Sequence, residues 1–366
     1  MTPAQFLETM LSLSLQLALV ILLTSGAARL GNTDEVRSRL WALCHVLIIA
    51  ITLRGFLLPR LTVVHPWSGI SPAAAVDLAH FERQAGIFLL VIWVAGAIIS
   101  AIILLASCWK IRQFLKTCQP VESDRLPELQ GELTGRQSTR ILSSRVLRSP
   151  FCWQIHEPVV VVPEFLLDFE PEERRLIFRH ELEHLRTGHP VQLFLQRTVE
   201  LFYWFHPLVW WSSRRVELAR EFACDEGAVR SDAEVAGYLR CLLKIVEQPS
   251  QEDTSRGIDL AFGRGAITQR ATRLAAKARR AFWTGQPAAG NSIVPLAMLV
   301  TFTLLVSFVW IPVDVLKTSR SHWSPWPTWT AAALHTVGSP VRDYDVYDTR
   351  SQLYELMEDA PSATED

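Results

Sequence analysis

Two histidines with a glutamate between them are the residues of this sequence that most directly indicate chemistry. Residues 180–184 read HELEH, so His180 and His184 are four positions apart and Glu181 follows the first. Four residues are about one turn of an α-helix, so both imidazoles would lie on one face and could bind a single metal ion. From its position, Glu181 could accept a proton from a water molecule and act as a general base. The pattern therefore predicts a site for metal-assisted hydrolysis.

The helix that would carry this motif has a recognisable start. Pro171 suits the first turn of a helix, and Glu172 and Glu173 suit the positive end of the helix dipole. We therefore predict that a helix begins at Pro171 and continues through the motif.

A third metal ligand is expected further along the chain, because catalytic zinc usually has three protein ligands and one open position. The stretch 214–229, RRVELAREFACDEGAV, has the spacing of small and apolar residues that is typical of a second helix. On that helix Glu221 and Asp225 would be one turn apart. We predict that Glu221 is the third ligand of one zinc ion and that Asp225 hydrogen-bonds a ligating histidine from behind. The alternative for Glu221 is a surface ion pair, for instance with Arg220.

Two other histidines have weaker support. Another class of zinc protease has a third histidine six residues after the motif, but that position is Pro190, and His189 is one place short. We expect His189 to lie in a loop at the end of the motif helix, where a cationic ring would suit the dipole. His206 lies in an apolar stretch, 191–211, that predicts a membrane-inserted or interfacial helix broken at Pro207. We expect His206 to pack and not to catalyse.

A short β-strand is predicted upstream of the motif. It covers Val159 to Val162 and is bounded by Pro158 and Pro163. Two roles are open for this strand. It could be an exposed edge that binds a peptide by adding it to the sheet, or it could be a buried strand of the core.

Four apolar runs indicate helices that cross a membrane, since each is close to the ~20 residues required and nearly free of charge. They cover about residues 6–28, 40–58, 86–108 and 291–312. Basic residues collect after the first and third runs and before the fourth. Because basic loops stay on the cytoplasmic side, we predict a cytoplasmic domain over 109–290 and both termini outside. We expect the tail, 313–366, to start with a Trp-rich segment at the membrane interface and to end in an acidic, poorly ordered segment.

The composition agrees with a membrane protein, because 49% of the residues are hydrophobic and 13 are Trp. The net charge of -1 excludes a strongly basic chain that binds nucleic acid through phosphate neutralisation. The six cysteines form no C-x-x-C pair, so we expect reduced thiols and neither a zinc ribbon nor a disulfide framework.

Together these pieces resemble the BlaR/MecR-type integral-membrane zinc metallopeptidases, the β-lactam sensor-transducers and their relatives. The resemblance rests on the order of LRSPFCWQIHEPVVVVPEFL, HELEH, WFHPLVWW and EFACDE between three apolar runs and a closing one. It implies that His180, His184 and Glu221 bind zinc and that Glu181 is the catalytic base. It also implies cleavage of a cytoplasmic protein such as a transcriptional repressor. Members of the family often have an acidic residue at the position of His189.

In the antibiotic sensors a penicillin-binding domain follows the last span, whereas only about fifty residues follow it here. We therefore do not expect this chain alone to sense β-lactams. A separate sensor protein is a further partner to consider for such a chain.

We expect a mainly α fold, namely a multi-pass membrane protein with four transmembrane helices and a cytoplasmic α+β, zincin-like metallopeptidase domain. The leading hypothesis is a zinc metalloendopeptidase of the bacterial inner membrane that cleaves a cytoplasmic regulator in signal transduction. Its partners would be that protein substrate and the lipid bilayer, with no direct contact to nucleic acid. Two alternatives stay open: a quality-control protease of the HtpX or CAAX-processing type, and a non-catalytic signalling scaffold held together by its metal.

Overall fold

A computed structural model of the chain describes residues 3–31, 33–57, 71–129, 132, 139–154, 157–247, 264–284, 293–311 and 313. Within these ranges the chain is mainly helical and contains a four-stranded sheet. The helices are α1 (Pro3–Leu30), α2 (Asp34–Leu57), α3 (Pro72–Thr117), α4 (Pro171–Arg186), α5 (His189–Phe202), α6 (Pro207–Ala228), α7 (Asp232–Glu247), α8 (Arg264–Thr284) and α9 (Ile293–Val306). The strands are β1 (Gln119–Pro120), β2 (Arg140–Ser144), β3 (Phe151–Trp153) and β4 (Val159–Pro163). The predicted Trp-rich segment and acidic tail lie outside the described residues.

The helices α1, α2 and α3 are each long and apolar enough to cross a membrane, and they contain the first three predicted spans. Helix α3 has 46 residues, about twice the predicted run of 86–108. The extra length has a structural reason at its end, because Phe114 and Leu115 pack against the sheet. The fourth predicted span, 291–312, contains α9, which has 14 residues. A helix of that length rises about 21 Å, less than the ~30 Å of a hydrocarbon core, so a fourth crossing stays a prediction.

The chain divides into two compact units. The first is formed by the segments Met1–Leu23, Val46–Ile99 and Ala297–Asp366. Buried polar groups connect these segments: the indole of Trp310 donates to a Glu8 carboxylate oxygen at 2.5 Å, and the Gln16 amide donates to the carbonyl oxygen of Val309 at 2.6 Å. Such groups are stable in an apolar setting because they are paired.

The second unit is formed by the segments Thr24–His45 and Ser100–Leu296, and it contains the sheet and α4 to α8. The strand order is β1-β2-β4-β3. β2 and β4 are parallel, whereas β3 pairs with β4 in the antiparallel direction and lies at one edge of the sheet. Helix α4 contacts this edge strand.

The predicted strand over Val159–Val162 is confirmed as β4, but it lies inside the sheet and every residue of it is buried. Val160 and Val162 pack against α4, while Val159 and Val161 face the end of α3. A strand covered on both faces reads as a continuous apolar run, which is the reason for four successive valines. The exposed-edge alternative is therefore wrong for this strand, and the edge beside α4 is β3.

The apolar stretch 191–211 forms most of α5 and the start of α6, with the predicted break at Pro207, the first residue of α6. Large apolar side chains are exposed along it, including Phe194, Phe202 and Trp210. Exposed apolar side chains of this kind are typical of a helix pair that touches a membrane surface.

Candidate metal centre

The two motif histidines lie on one face of α4, as their spacing predicts. The helix begins at Pro171 with two glutamates in its first turn, so the predicted start is confirmed. The apolar side of α4 packs on β4, and the opposite side of α4 therefore faces α6. The Nε2 atoms of His180 and His184 are 3.2 Å apart.

Glu221 lies on α6 and its carboxylate completes a group of three ligand atoms. One oxygen is 3.5 Å from Nε2 of His180, and the other is 3.5 Å from Nε2 of His184. Tetrahedral zinc holds nitrogen and oxygen ligands at about 2.0–2.1 Å, so two such ligands are about 3.3–3.4 Å apart. The spacing of the three atoms therefore fits one zinc-sized ion. The alternative pairing with Arg220 does not form, because Arg220 donates to Gln196 Oε1 at 2.6 Å instead.

Glu181 is buried beside these ligands, with 6% of its surface exposed. It accepts a hydrogen bond from the thiol of Cys152 on the edge strand β3. Burial raises the pKa of Glu181 to about 7, and the neighbouring Glu221 carboxylate acts in the same direction. A carboxylate whose pKa lies near neutral pH can both accept and release a proton, as a general base requires.

The outer nitrogen of His180 faces a buried acid, as predicted. Its Nδ1 lies 3.2 Å from Oδ1 of Asp225 and 2.9 Å from the hydroxyl of Tyr238, which itself donates to Asp225 at 2.7 Å. A carboxylate or its hydrogen-bonded neighbour in this position fixes the tautomer and the orientation of a ligating histidine. Asp225 therefore lies where the sequence predicts, and Tyr238 of α7 is an addition that the sequence did not indicate.

Arg270 of α8 is a second addition, and its guanidinium lies within hydrogen-bond distance of both acids. Its Nη1 is 2.9 Å from Glu221 Oε2, and its Nε and Nη2 bind Asp225 at 2.9 and 2.6 Å. The side chain is 4% exposed. A planar guanidinium that bridges the buried Asp225 and the half-buried Glu221 holds α6 and α8 in one arrangement.

The charges of the centre are mutually compensated. Burial and Arg270 lower the pKa of His180, but its hydrogen bonds with Asp225 and Glu221 outweigh them and raise it to about 9. Burial opposes ionisation of Glu221, yet Arg270 and the two histidines hold its pKa well below the usual range. The third ligand is therefore an ionised carboxylate, the form that binds a metal.

His189 differs from its prediction. It is the first residue of α5, it is 4% exposed, and Gly188 before it has φ +71° and turns the chain back towards α4. Nδ1 of His189 lies 3.0 Å from Nδ1 of His184 and 3.4 Å from Sγ of Cys224. Burial and the neighbouring His184 lower the pKa of His189 to about 2, so the ring is neutral and not the predicted cation in a loop.

His189 therefore contacts Nδ1 of His184, the ring nitrogen opposite the ligand atom, just as Asp225 contacts Nδ1 of His180. His184, His189 and Cys224 also bring one potential ligand atom each within 4.8 Å of one another. This group shares His184 with the main centre and belongs to it. His206, by contrast, precedes Pro207 at the start of α6 and contacts the Phe205 ring, in line with a packing role.

Comparison with known proteins decides the family of this chain. A family model described as BlaR1 peptidase M56 matches residues 63–274, which is more than half of the 366 residues. This chain belongs to the M56 family. The M56 match includes the whole metal centre, from Cys152 to Arg270, and it confirms the resemblance drawn from the motifs.

A curated relative points the same way. Regulatory protein BlaR1 of Bacillus licheniformis is 24% identical over 144 residues. The match covers 38% of this chain and 24% of that protein, so the chain spans about a quarter of the length of the curated relative it matches. The M56 family is a family of peptidases, and three helices of this chain are long and apolar enough to cross a membrane.

Proposed function

We propose that this protein is a zinc metalloendopeptidase of the bacterial inner membrane that cleaves a cytoplasmic regulator, such as a transcriptional repressor, in signal transduction. One observation carries the proposal. Three ligand atoms from His180, His184 and Glu221 converge at the spacing of a tetrahedral ion, and a fourth buried group, Glu181, stands beside them. A centre that only had to hold helices together would have no use for that extra carboxylate.

The chain's own groups divide the work of hydrolysis. Zinc, when bound, polarises the scissile carbonyl and favours loss of a proton from water. Glu181 accepts the proton of the attacking water and can return it to the leaving amine, for which a pKa of about 7 is suitable. Asp225 and Tyr238 keep the His180 ring in place, and Arg270 keeps Glu221 ionised.

The edge strand β3 suggests how a peptide would approach. It pairs with β4 on one side, and among the described residues no strand pairs with its other side. Cys152 in its middle hydrogen-bonds Glu181, so the strand lies directly beside the centre. An extended substrate that adds to this edge would place one of its peptide bonds near the base.

The topology is part of the proposal. We infer four spans, with residues 109–290 in the cytoplasm, both termini outside, and the tail of 313–366 available to a separate sensor protein. Basic residues beside the apolar runs support this orientation, for example Arg29 in the last turn of α1, Arg37 near the start of α2 and Lys110 near the end of α3. Single cysteines placed in each loop of a cysteine-free variant and labelled with an impermeant reagent would test it. Labelling of the 109–290 region from outside intact cells would contradict it.

The decisive test of the chemistry is Glu181→Gln in the purified full chain. We expect unchanged zinc content and a loss of peptide cleavage of at least about a hundredfold, because the amide cannot accept the proton. Glu172→Gln is the matched control, since this residue is an exposed glutamate of the same helix. Equal activity of the two variants would remove Glu181 as the base, whereas no cleavage by the wild-type chain or by either variant would leave the scaffold alternative.

Capture of the substrate separates a regulator protease from a quality-control protease. When the Glu181→Gln form is purified from its own cells, one cytoplasmic protein should copurify with it. The amount of that protein should be larger than with the Glu172→Gln control. A broad set of membrane proteins would instead support the quality-control alternative.

A further inference from the structure

A cavity separate from the metal centre lies in the same unit, at the point where α1 ends and α2 begins. It has a volume of about 370 Å³, within the range of small-molecule sites. One acid, an apolar wall that includes Trp41, and four arginines line it. The arginines are Arg29, Arg37, Arg215 and Arg273. All of its lining residues belong to the second unit.

The cavity carries an excess of positive charge. Its acid, Asp34, is buried and is shared between Arg37, at 3.0 Å, and Arg273, whose Nε donates to it at 2.9 Å. Arg29 and Arg215 have no carboxylate partner within the described part of the chain. Arg215 stacks on the Trp211 ring at 5.3 Å, which holds its guanidinium beside the cavity. Two uncompensated guanidinium groups at one cavity are suited to an anion, and a planar guanidinium matches the oxygens of a phosphate.

The position of the cavity indicates where that anion comes from. Arg29 is in the last turn of α1, and Asp34 is the first residue of α2, and both helices are apolar enough to span a bilayer. The adjoining ends of two spans lie at the level of the lipid headgroups. Trp41, which packs edge-on against Trp211, and the nearby Phe222 provide apolar surface beside the arginines. A ligand with a phosphate and an attached apolar chain fits this combination.

We propose that the cavity binds the phosphate of an anionic phospholipid headgroup. The site depends on α1 and α2 reaching the membrane and does not depend on peptide cleavage. It also adjoins the metal centre through shared helices: Phe222 follows Glu221 on α6, and Arg273 is three residues after Arg270 on α8. A bound headgroup would thus rest on the two helices that bring Glu221 and Arg270 together.

The test is lipid binding to the full chain in detergent, followed by native mass spectrometry with added phosphatidylglycerol. The variant Arg29→Gln/Arg215→Gln should weaken binding of the first phosphatidylglycerol by at least about tenfold, because each arginine near an anionic headgroup contributes severalfold. The control Arg112→Gln/Arg214→Gln removes two exposed arginines that do not line the cavity. We expect it to change binding by less than about threefold. Equal effects of the two double variants would overturn the site.

Two further arms make the result specific. Phosphatidylcholine should bind much more weakly than phosphatidylglycerol, and millimolar inorganic phosphate should not displace the lipid. Displacement by phosphate alone would mean a site for the free ion and would overturn the lipid assignment. Asp34→Asn removes the acid that competes for Arg37 and Arg273, so it should tighten phosphatidylglycerol binding severalfold, a gain that misfolding cannot produce. Unchanged or weaker binding in that variant would contradict the proposal.

Discussion

Replacing Arg270 with methionine should destabilise the metal-free protein far more than the zinc-loaded one. The guanidinium is 4% exposed and bridges the half-buried Glu221, at 2.9 Å, and the buried Asp225, at 2.6 Å. Methionine fills a similar volume but supplies neither charge nor donors. Both carboxylates would then lose their shared cation, whereas zinc, when bound, supplies positive charge to Glu221 in its place.

The size of the effect follows from this geometry. Breaking a buried ion pair on one side costs about 3–5 kcal/mol. A folded unit of about 200 residues loses about 2–4 °C of melting temperature per kcal/mol, so we expect a decrease of about 6–20 °C in the presence of a chelator. With saturating zinc the decrease should be smaller by at least half. Arg270→Lys keeps the charge without the planar fork, so its decrease should fall between wild type and methionine.

The measurement is thermal unfolding of the purified full chain in detergent, with chelator or with zinc. Arg214→Met is the control, because Arg214 is an exposed arginine of α6 and its loss should change stability by less than about 0.5 kcal/mol. A melting temperature of Arg270→Met equal to that of Arg214→Met in chelator would refute the compensation described here. An equal decrease with and without zinc would refute the coupling of Arg270 to the metal ligand.

Substitutions at three other positions test how the centre is held. His189→Ala removes the group behind His184 and should lower zinc affinity about 10- to 100-fold in a chelator competition, and unchanged affinity would exclude an orienting role. Gly188→Ala places a side chain at φ +71° and should lower the free energy of unfolding by about 1–2 kcal/mol, whereas Gly188→Asn should lower it less. Equal stability of the two variants in thermal unfolding would argue against the left-handed turn at Gly188. A Cβ at Gly227 would lie 2.9 Å from the flexible end of Glu183, so Gly227→Ala should keep stoichiometric zinc. Gly227→Leu should lose it by forcing α4 and α6 apart, and full zinc content in that variant would contradict the close approach.

Local sequence was sufficient for the ligands themselves. His180 and His184 are one turn apart on a helix whose start is marked by Pro171, and both statements depend on nearest-neighbour geometry alone. The helix α6 was predictable from its periodicity, and Glu221 and Asp225 follow from its turn spacing. Their meeting with α4 needed only the knowledge that zinc requires a third ligand.

The groups around the ligands were not predictable in the same way. Arg270 is one of five arginines on α8, and nothing nearby in sequence distinguishes it from Arg273 or its other neighbours. Tyr238 lies among apolar residues of α7 and reads as an ordinary core aromatic. Their roles come from the packing of α7 and α8 against α4 and α6, which is a tertiary property.

The sequence of β4 contains a feature that distinguishes a buried strand from an exposed edge strand. A strand with one face in solvent alternates apolar and polar residues, whereas Val159 to Val162 do not alternate. Continuous apolar sequence therefore favours a strand covered on both sides, as the structure has it. The edge strand β3 has only three residues, too short for any periodicity to be read.

That shortness limits how a peptide can be selected. Three residues of an antiparallel edge offer about two main-chain hydrogen bonds, each contributing about 0.5–1.5 kcal/mol net, so a free peptide would be held only briefly. Discrimination among proteins would then arise less from the amino acids around the scissile bond than from which polypeptide is kept nearby. A target recruited through a second contact gains a high effective concentration at the strand, and isolated peptides copied from it should be turned over poorly.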